Sequence, residues 1–145
     1  MQSFEKLRPL ALLLLRFALG AIFLYHGYPK LFTHTRDTMQ FFSRSGFPGF
    51  TVYVVGILEF FGGILLVAGL FTRLVGLLLT GEMAVALWKV HGLLAKPLDV
   101  HNYEFPLAVA VGAFALATFG AGPVSLDQAI SPQGRKSSRK SKSRD

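Results

Sequence analysis

The chain has 145 residues, enough for one domain, and its 52% hydrophobic and 16% charged residues give a mean hydropathy of +0.47. A soluble domain carries about 25% charged residues, so the deficit of charge points to a lipid environment. The absence of cysteine excludes disulfides, thiolate redox chemistry, iron–sulfur clusters and cysteine-ligated zinc in this chain. The net charge of +7 gathers in the tail, where six of the fifteen Lys and Arg follow Gln133.

Four apolar segments come in order along the chain, at about 9–28, 51–71, 74–94 and 105–122. Each is close to the ~20 residues that cross a hydrocarbon core. Each is apolar on nearly every helical face, whereas a soluble four-helix bundle needs four polar faces. The first segment follows Lys6 and Arg8 as a signal peptide would, but no small-x-small cleavage site comes after it and the apolar run is too long. It reads as a retained helix.

Between the first and second segments, residues 29–50 leave room for a short interfacial helix around DTMQFFSRSGF, closed by Gly46, Pro48 and Gly49. Thr72 and Arg73 make a tight turn, so the second and third segments pack antiparallel. A polar loop with Pro97 precedes the last segment. Residues 131–145 read as a disordered basic tail. The expectation is an all-α integral membrane four-helix bundle over residues 1–130, in a cell membrane and multi-pass. Placement of Lys and Arg, the tail included, puts both termini on the cytoplasmic side. The tail touches lipid headgroups in this reading, and no nucleic-acid partner is expected.

Ionisable residues at membrane depth are costly and face the bundle interior. Arg16, Glu59 and Glu82 fall well inside the segments, at about 12, 18 and 12 Å from the inner boundary by helix rise. One arginine and two carboxylates at similar depth can pair, so Arg16 is expected to bridge Glu59, Glu82 or both. One carboxyl is then left over. It suits proton exchange or hydrogen bonding to a carbonyl ligand such as a quinone. The cluster equally fits a purely structural role that fixes helix register.

Nearer the outer face lie His26, Lys30, Lys89, His91, His101 and Glu104. Lys89 follows Glu82 by seven residues and shares its face. His26 and His91 could shuttle protons. No tight His-x-x-x-His or Glu-x-x-His pair exists, so no metal site is expected. Snorkelling accounts for Lys30 and Lys89, and Tyr25, Tyr28, Tyr53, Trp88 and Tyr103 read as an aromatic belt. Gly20, Gly27, Gly56, Gly62, Gly63 and Gly69 read first as close-packing positions, and second as room for a flat ligand beside Glu59.

From about Leu7 to Ile130 these features resemble the DoxX-like membrane proteins. RFALGAIFLYHGYPKLF is similar to that family's Arg-x-x-x-Gly followed by Gly-x-x-Lys-Leu. GILEFFGGILLVAGLFTR resembles its Gly-x-x-Glu-x-x-Gly-Gly and Thr-Arg turn. The GEMAVA of the third segment, the YEFPL start of the fourth and the GAGPVSLD close complete the likeness. The resemblance implies a four-helix membrane bundle associated with redox complexes and often labelled oxidoreductase. The leading expectation is therefore a membrane subunit of a quinone-linked redox system. Arg16, Glu59 and Glu82 would line its pocket, and Lys89, His91, His26 and Lys30 would stand near the mouth. Quinone is the expected non-covalent cofactor. A soluble or membrane redox protein, or a second copy of the chain, is the expected partner. The alternatives are a non-enzymatic carrier or binding protein for a small lipophilic molecule, and a structural membrane subunit.

Overall fold

The computed structural model describes residues 5–92 and 99–131. Among them every regular element is helical: α1 (Arg8–Tyr28), a π-helical segment (Pro29–Thr33), α2 (Thr35–Arg44), α3 (Thr51–Ala68), α4 (Thr72–Lys89), α5 (Val100–Phe119) and α6 (Leu126–Ile130). The expected tail lies outside the described residues, as do the end of the third expected segment and the loop around Pro97.

The helix ends follow local chemistry. Pro9 stands in the first turn of α1, where its missing N–H costs nothing. Pro29 ends the α-helical hydrogen bonding of α1, and the chain continues one wider turn that closes from His34 N–H to the Pro29 carbonyl at 2.7 Å. Gly69 adopts the left-handed conformation that stops α3 earlier than the apolar run implies (φ +69°). Phe71 is also left-handed (φ 52°), an uncommon state for a side-chain-bearing residue. α5 starts before Pro106 rather than beside it and accommodates the proline in its second turn. α6, anchored by Ser125 Oγ accepting from Gln128 N–H, was not expected from hydropathy because it is short and polar.

α1, α3 and α5 are long and apolar enough to cross a membrane. α4 has 18 residues and falls short of that measure because it carries Arg73, Glu82 and Lys89. Outward faces are apolar throughout: Leu14, Phe17, Ile57, Leu77, Val111 and Phe114 are all exposed. Continuous apolar surface of this kind is what lipid contact requires.

Two tight helix pairs make the bundle, α1 with α3 and α4 with α5. Glycine sets the closeness of the first. A Cβ on Gly20 would stand 2.9 Å from the Gly63 carbonyl oxygen, and one on Gly27 would stand 2.5 Å from Phe60 N. In the second pair a Cβ on Gly76 would meet the Ala113 carbonyl oxygen at 2.8 Å. Small residues let backbones approach this closely in lipid. Contacts between the pairs are sparser and rest on a core of Leu12, Leu19, Phe23, Leu66, Leu79 and Leu116. The room for a site is therefore between the pairs, beyond that core.

Candidate functional site

Helix register decides which charged residues meet. α1 and α3 run antiparallel with Gly20 against Gly63 and Gly27 against Phe60 and Glu59. Continuing that register places Arg16 opposite Gly69, where its guanidinium abuts the glycine. Ten residues separate Glu59 from Gly69, about 15 Å of helix at 1.5 Å per residue.

The expected bridge from Arg16 to Glu59 or Glu82 is accordingly not formed. Arg16 is 2% exposed, and among the described residues its guanidinium donates to backbone carbonyls: Nε to Leu66 (3.0 Å), Nη2 to Val67 (3.1 Å), and Nη1 to Ala121 (2.8 Å) and Val124 (2.6 Å). The first two are carbonyls of the last turn of α3, where Leu66 also accepts from the Gly69 N–H at 3.1 Å, and a cation is favourable at that end of a helix dipole. The depth argument erred by assuming that all spans begin at one level. α1 starts about two turns before the level at which α3 ends, so Arg16 lies at the end of the bundle.

Asp127 completes this junction. Its carboxylate accepts from Phe71 N–H (2.7 Å) and Thr72 N–H (2.9 Å), and its own N–H donates to the Gly69 carbonyl (2.8 Å). Arg16 and Asp127 together fasten the α3–α4 turn to the segment after α5.

Glu59 finds its cation in Lys30. Glu59 is 3% exposed, and the Lys30 side chain reaches inward to donate from Nζ to Glu59 Oε2 and, at 3.3 Å, to the His26 carbonyl. The π-helical turn after Tyr28 carries Lys30 to this position, and such turns recur at functional sites. Snorkelling does not describe Lys30. It does describe Lys89, whose ammonium lies out over the Trp88 ring at 4.7 Å from its centroid.

Glu82, on the facing helix pair, presents its carboxyl to Glu59 and Lys30. One of its oxygens, Oε2, is buried with no hydrogen-bond partner among the described residues. Two carboxyls and one ammonium thus share a corner of the bundle, with one carboxyl more than there are cations.

This corner opens into a cavity of about 580 Å³ between the helix pairs. Lys30, Glu59, Glu82, His26 and His91 all line it, so five of the seven expected site residues share one space. Arg16 and Lys89 do not. The rest of the wall is chiefly apolar, and α2 and the turn after it close one side with Phe41, Phe42 and Phe47. α2 packs on α3, buries none of its residues and stands where a short helix was expected. Phe23 and the core below it form the floor. The His26 ring is held by a 2.8 Å contact from Nδ1 to the Ile22 carbonyl and by stacking on Phe105 at 5.9 Å between centroids. His101 pairs with Glu104 on the surface (3.0 Å). No group of three or more His, Asp or Glu able to hold a metal is found among the described residues.

Chemically the cavity offers apolar walls, a pure donor in Lys30, carboxyls that accept or donate according to their proton, and a fixed imidazole. Such a set orients a small flat lipophilic molecule by one polar edge. The residues that sequence reasoning missed are the aromatics of α2 and of the turn after it. The glycines were read as close-packing positions, but their partners depended on register.

The model of the family described as DoxX matches residues 11–92. The chain is 36% identical over 126 residues to the Bacillus subtilis (strain 168) protein named "Putative oxidoreductase CatD", covering 87% of this chain and 88% of that one. It is 28% identical over 126 residues to the Escherichia coli (strain K12) inner membrane protein YqjF, covering 87% of this chain and 96% of that one. It is also 29% identical over 134 residues to inner membrane protein YphA of the same organism, covering 87% and 94%. No solved structure matches the chain.

Proposed function

The chain belongs to the DoxX family of membrane proteins, and from that premise we propose that it is a membrane subunit of a redox system whose cavity holds a small lipophilic carbonyl compound of the quinone type. The observation that carries this reading is the Lys30–Glu59–Glu82 corner, set inside an otherwise apolar cavity of about 580 Å³. A quinone ring needs apolar walls for its faces and a donor for its carbonyl oxygen. Lys30 and a protonated Glu82 carboxyl are such donors. In this reading all four long helices cross the bilayer, with both termini on the cytoplasmic side, and a redox partner protein exchanges electrons with the bound ligand. The oxidoreductase name of the Bacillus subtilis relative supports the association.

A carrier for a small lipophilic molecule is the second reading, since the apolar part of the cavity serves it equally. A purely structural subunit accounts less well for an open cavity and for a buried oxygen on Glu82 with no partner among the described residues.

The test is purification of the full chain from native membranes in mild detergent, then mass spectrometry of bound lipids and proteins. Stoichiometric quinone together with a redox protein is expected. Another lipophilic compound without a redox partner would select the carrier, and neither would remove the proposal.

A further inference from the structure

We infer that His26 is the residue through which this cavity tells a reduced ligand from an oxidised one. The inference rests on the quinone reading above and goes beyond it by assigning a preference to one side chain.

His26 Nδ1 lies 2.8 Å from the Ile22 carbonyl oxygen. A carbonyl only accepts, so Nδ1 carries the hydrogen, and Nε2 of the neutral ring is left with a lone pair and no proton. No partner for Nε2 is found among the described residues. Stacking on Phe105 holds the plane of the ring, and both rings belong to the cavity wall. His26, an exposed residue of the cavity wall, therefore offers an acceptor on a ring whose plane is held.

A quinone carbonyl has lone pairs and nothing to donate, so His26 Nε2 gives it no bond. The hydroxyl of the corresponding quinol has a hydrogen to donate and finds a ready acceptor. Lys30 does not discriminate, because an ammonium donates both to a quinone carbonyl and to the lone pairs of a quinol hydroxyl. Glu59 and Glu82 change role with their proton and serve either form. Among these groups His26 alone tells the two forms apart, and it favours the reduced ligand. The main-chain contact that fixes His26 lies within one turn of the same helix, so the preference is built into α1 and needs no partner chain.

The test measures affinities of the full-length chain in detergent for durohydroquinone and duroquinone, by equilibrium dialysis under argon. His26→Phe keeps a ring to stack on Phe105 and deletes Nε2. It is expected to weaken durohydroquinone binding roughly three- to tenfold, the worth of one hydrogen bond, and to leave duroquinone within twofold of wild type. The unchanged duroquinone affinity also reports that the variant is folded. His26→Gln, whose amide oxygen accepts, is expected to recover part of the loss. Equal weakening of both forms, or no weakening of durohydroquinone, overturns the inference while leaving the quinone reading in place. A wild-type chain that binds neither form overturns both.

Discussion

Lys30 and Glu59 form an ion pair across the junction of α1 and α3, with the carboxylate buried and the lysine drawn inward from a π-helical turn. Glu82 faces the same ammonium from the opposite helix pair. Two carboxyls competing for one cation make each partly able to replace the other.

Single substitutions at these carboxyls are therefore expected to be mild and the double one severe. Glu59→Gln leaves Lys30 beside Glu82, and Glu82→Gln leaves the ion pair intact. Each should cost about 1 kcal/mol, whereas the double variant strands a partly buried ammonium at about 3 kcal/mol. Denaturant unfolding of the four proteins in detergent measures the coupling. Additive losses would show that the carboxyls do not share the lysine.

Arg16 is expected to matter for stability and not for ligand. Arg16→Met takes the side-chain donor from the carbonyls of Val67, Ala121 and Val124 and leaves Leu66 with the Gly69 N–H alone. A loss of about 3–5 kcal/mol is expected. Ligand affinity of the folded fraction should stay within twofold of wild type. A selective loss of affinity at full stability would return Arg16 to the site.

Asp127→Asn should loosen the turn that Arg16 holds from the other side. The amide keeps one acceptor oxygen where the carboxylate has two, so one of the Phe71 and Thr72 N–H groups loses its partner. The expected cost is about 1 kcal/mol. Hydrogen exchange at these two amides should speed up while exchange in the middle of α5 does not change. Uniform acceleration along the chain would contradict a local cap.

Gly27 and Gly81 should respond oppositely to alanine. At Gly27 the added methyl would meet Phe60 backbone at 2.5 Å, which forces α1 away from α3 and should cost about 1–3 kcal/mol. At Gly81 nothing lies within 4 Å, so alanine should be neutral or stabilising by up to ~1 kcal/mol. Thermal unfolding of the pair of variants decides, and equal effects would refute the proposed register.

Much of this arrangement was legible from the chain itself. The long apolar segments, the short helix near Thr38 and the buried status of Glu59 follow from composition and spacing, because an apolar exterior leaves few places for a carboxylate. The partner of Glu59 was not legible. Depth was read from where each apolar run begins, but glycine packing slides α1 against α3 and puts Arg16 opposite Gly69. Lys30 looked like an interfacial lysine because its inward reach depends on the π-helical turn, and only Pro29 hinted at that. Ser125 and Gln128 carried a readable helix-start signal, Ser-x-x-Gln. It was obscured by the short length of α6, and with it the capping role of Asp127.

The most direct measurement of the central claim is photolabelling of the full-length chain in native membranes with an azidoquinone, mapped by peptide mass spectrometry. The account predicts labels on cavity residues such as Leu58, Met83 and Phe105, reduced by excess duroquinone and by Glu82→Leu. Labels confined to outward residues such as Leu14, Ile57 and Val111, insensitive to competitor, would contradict it.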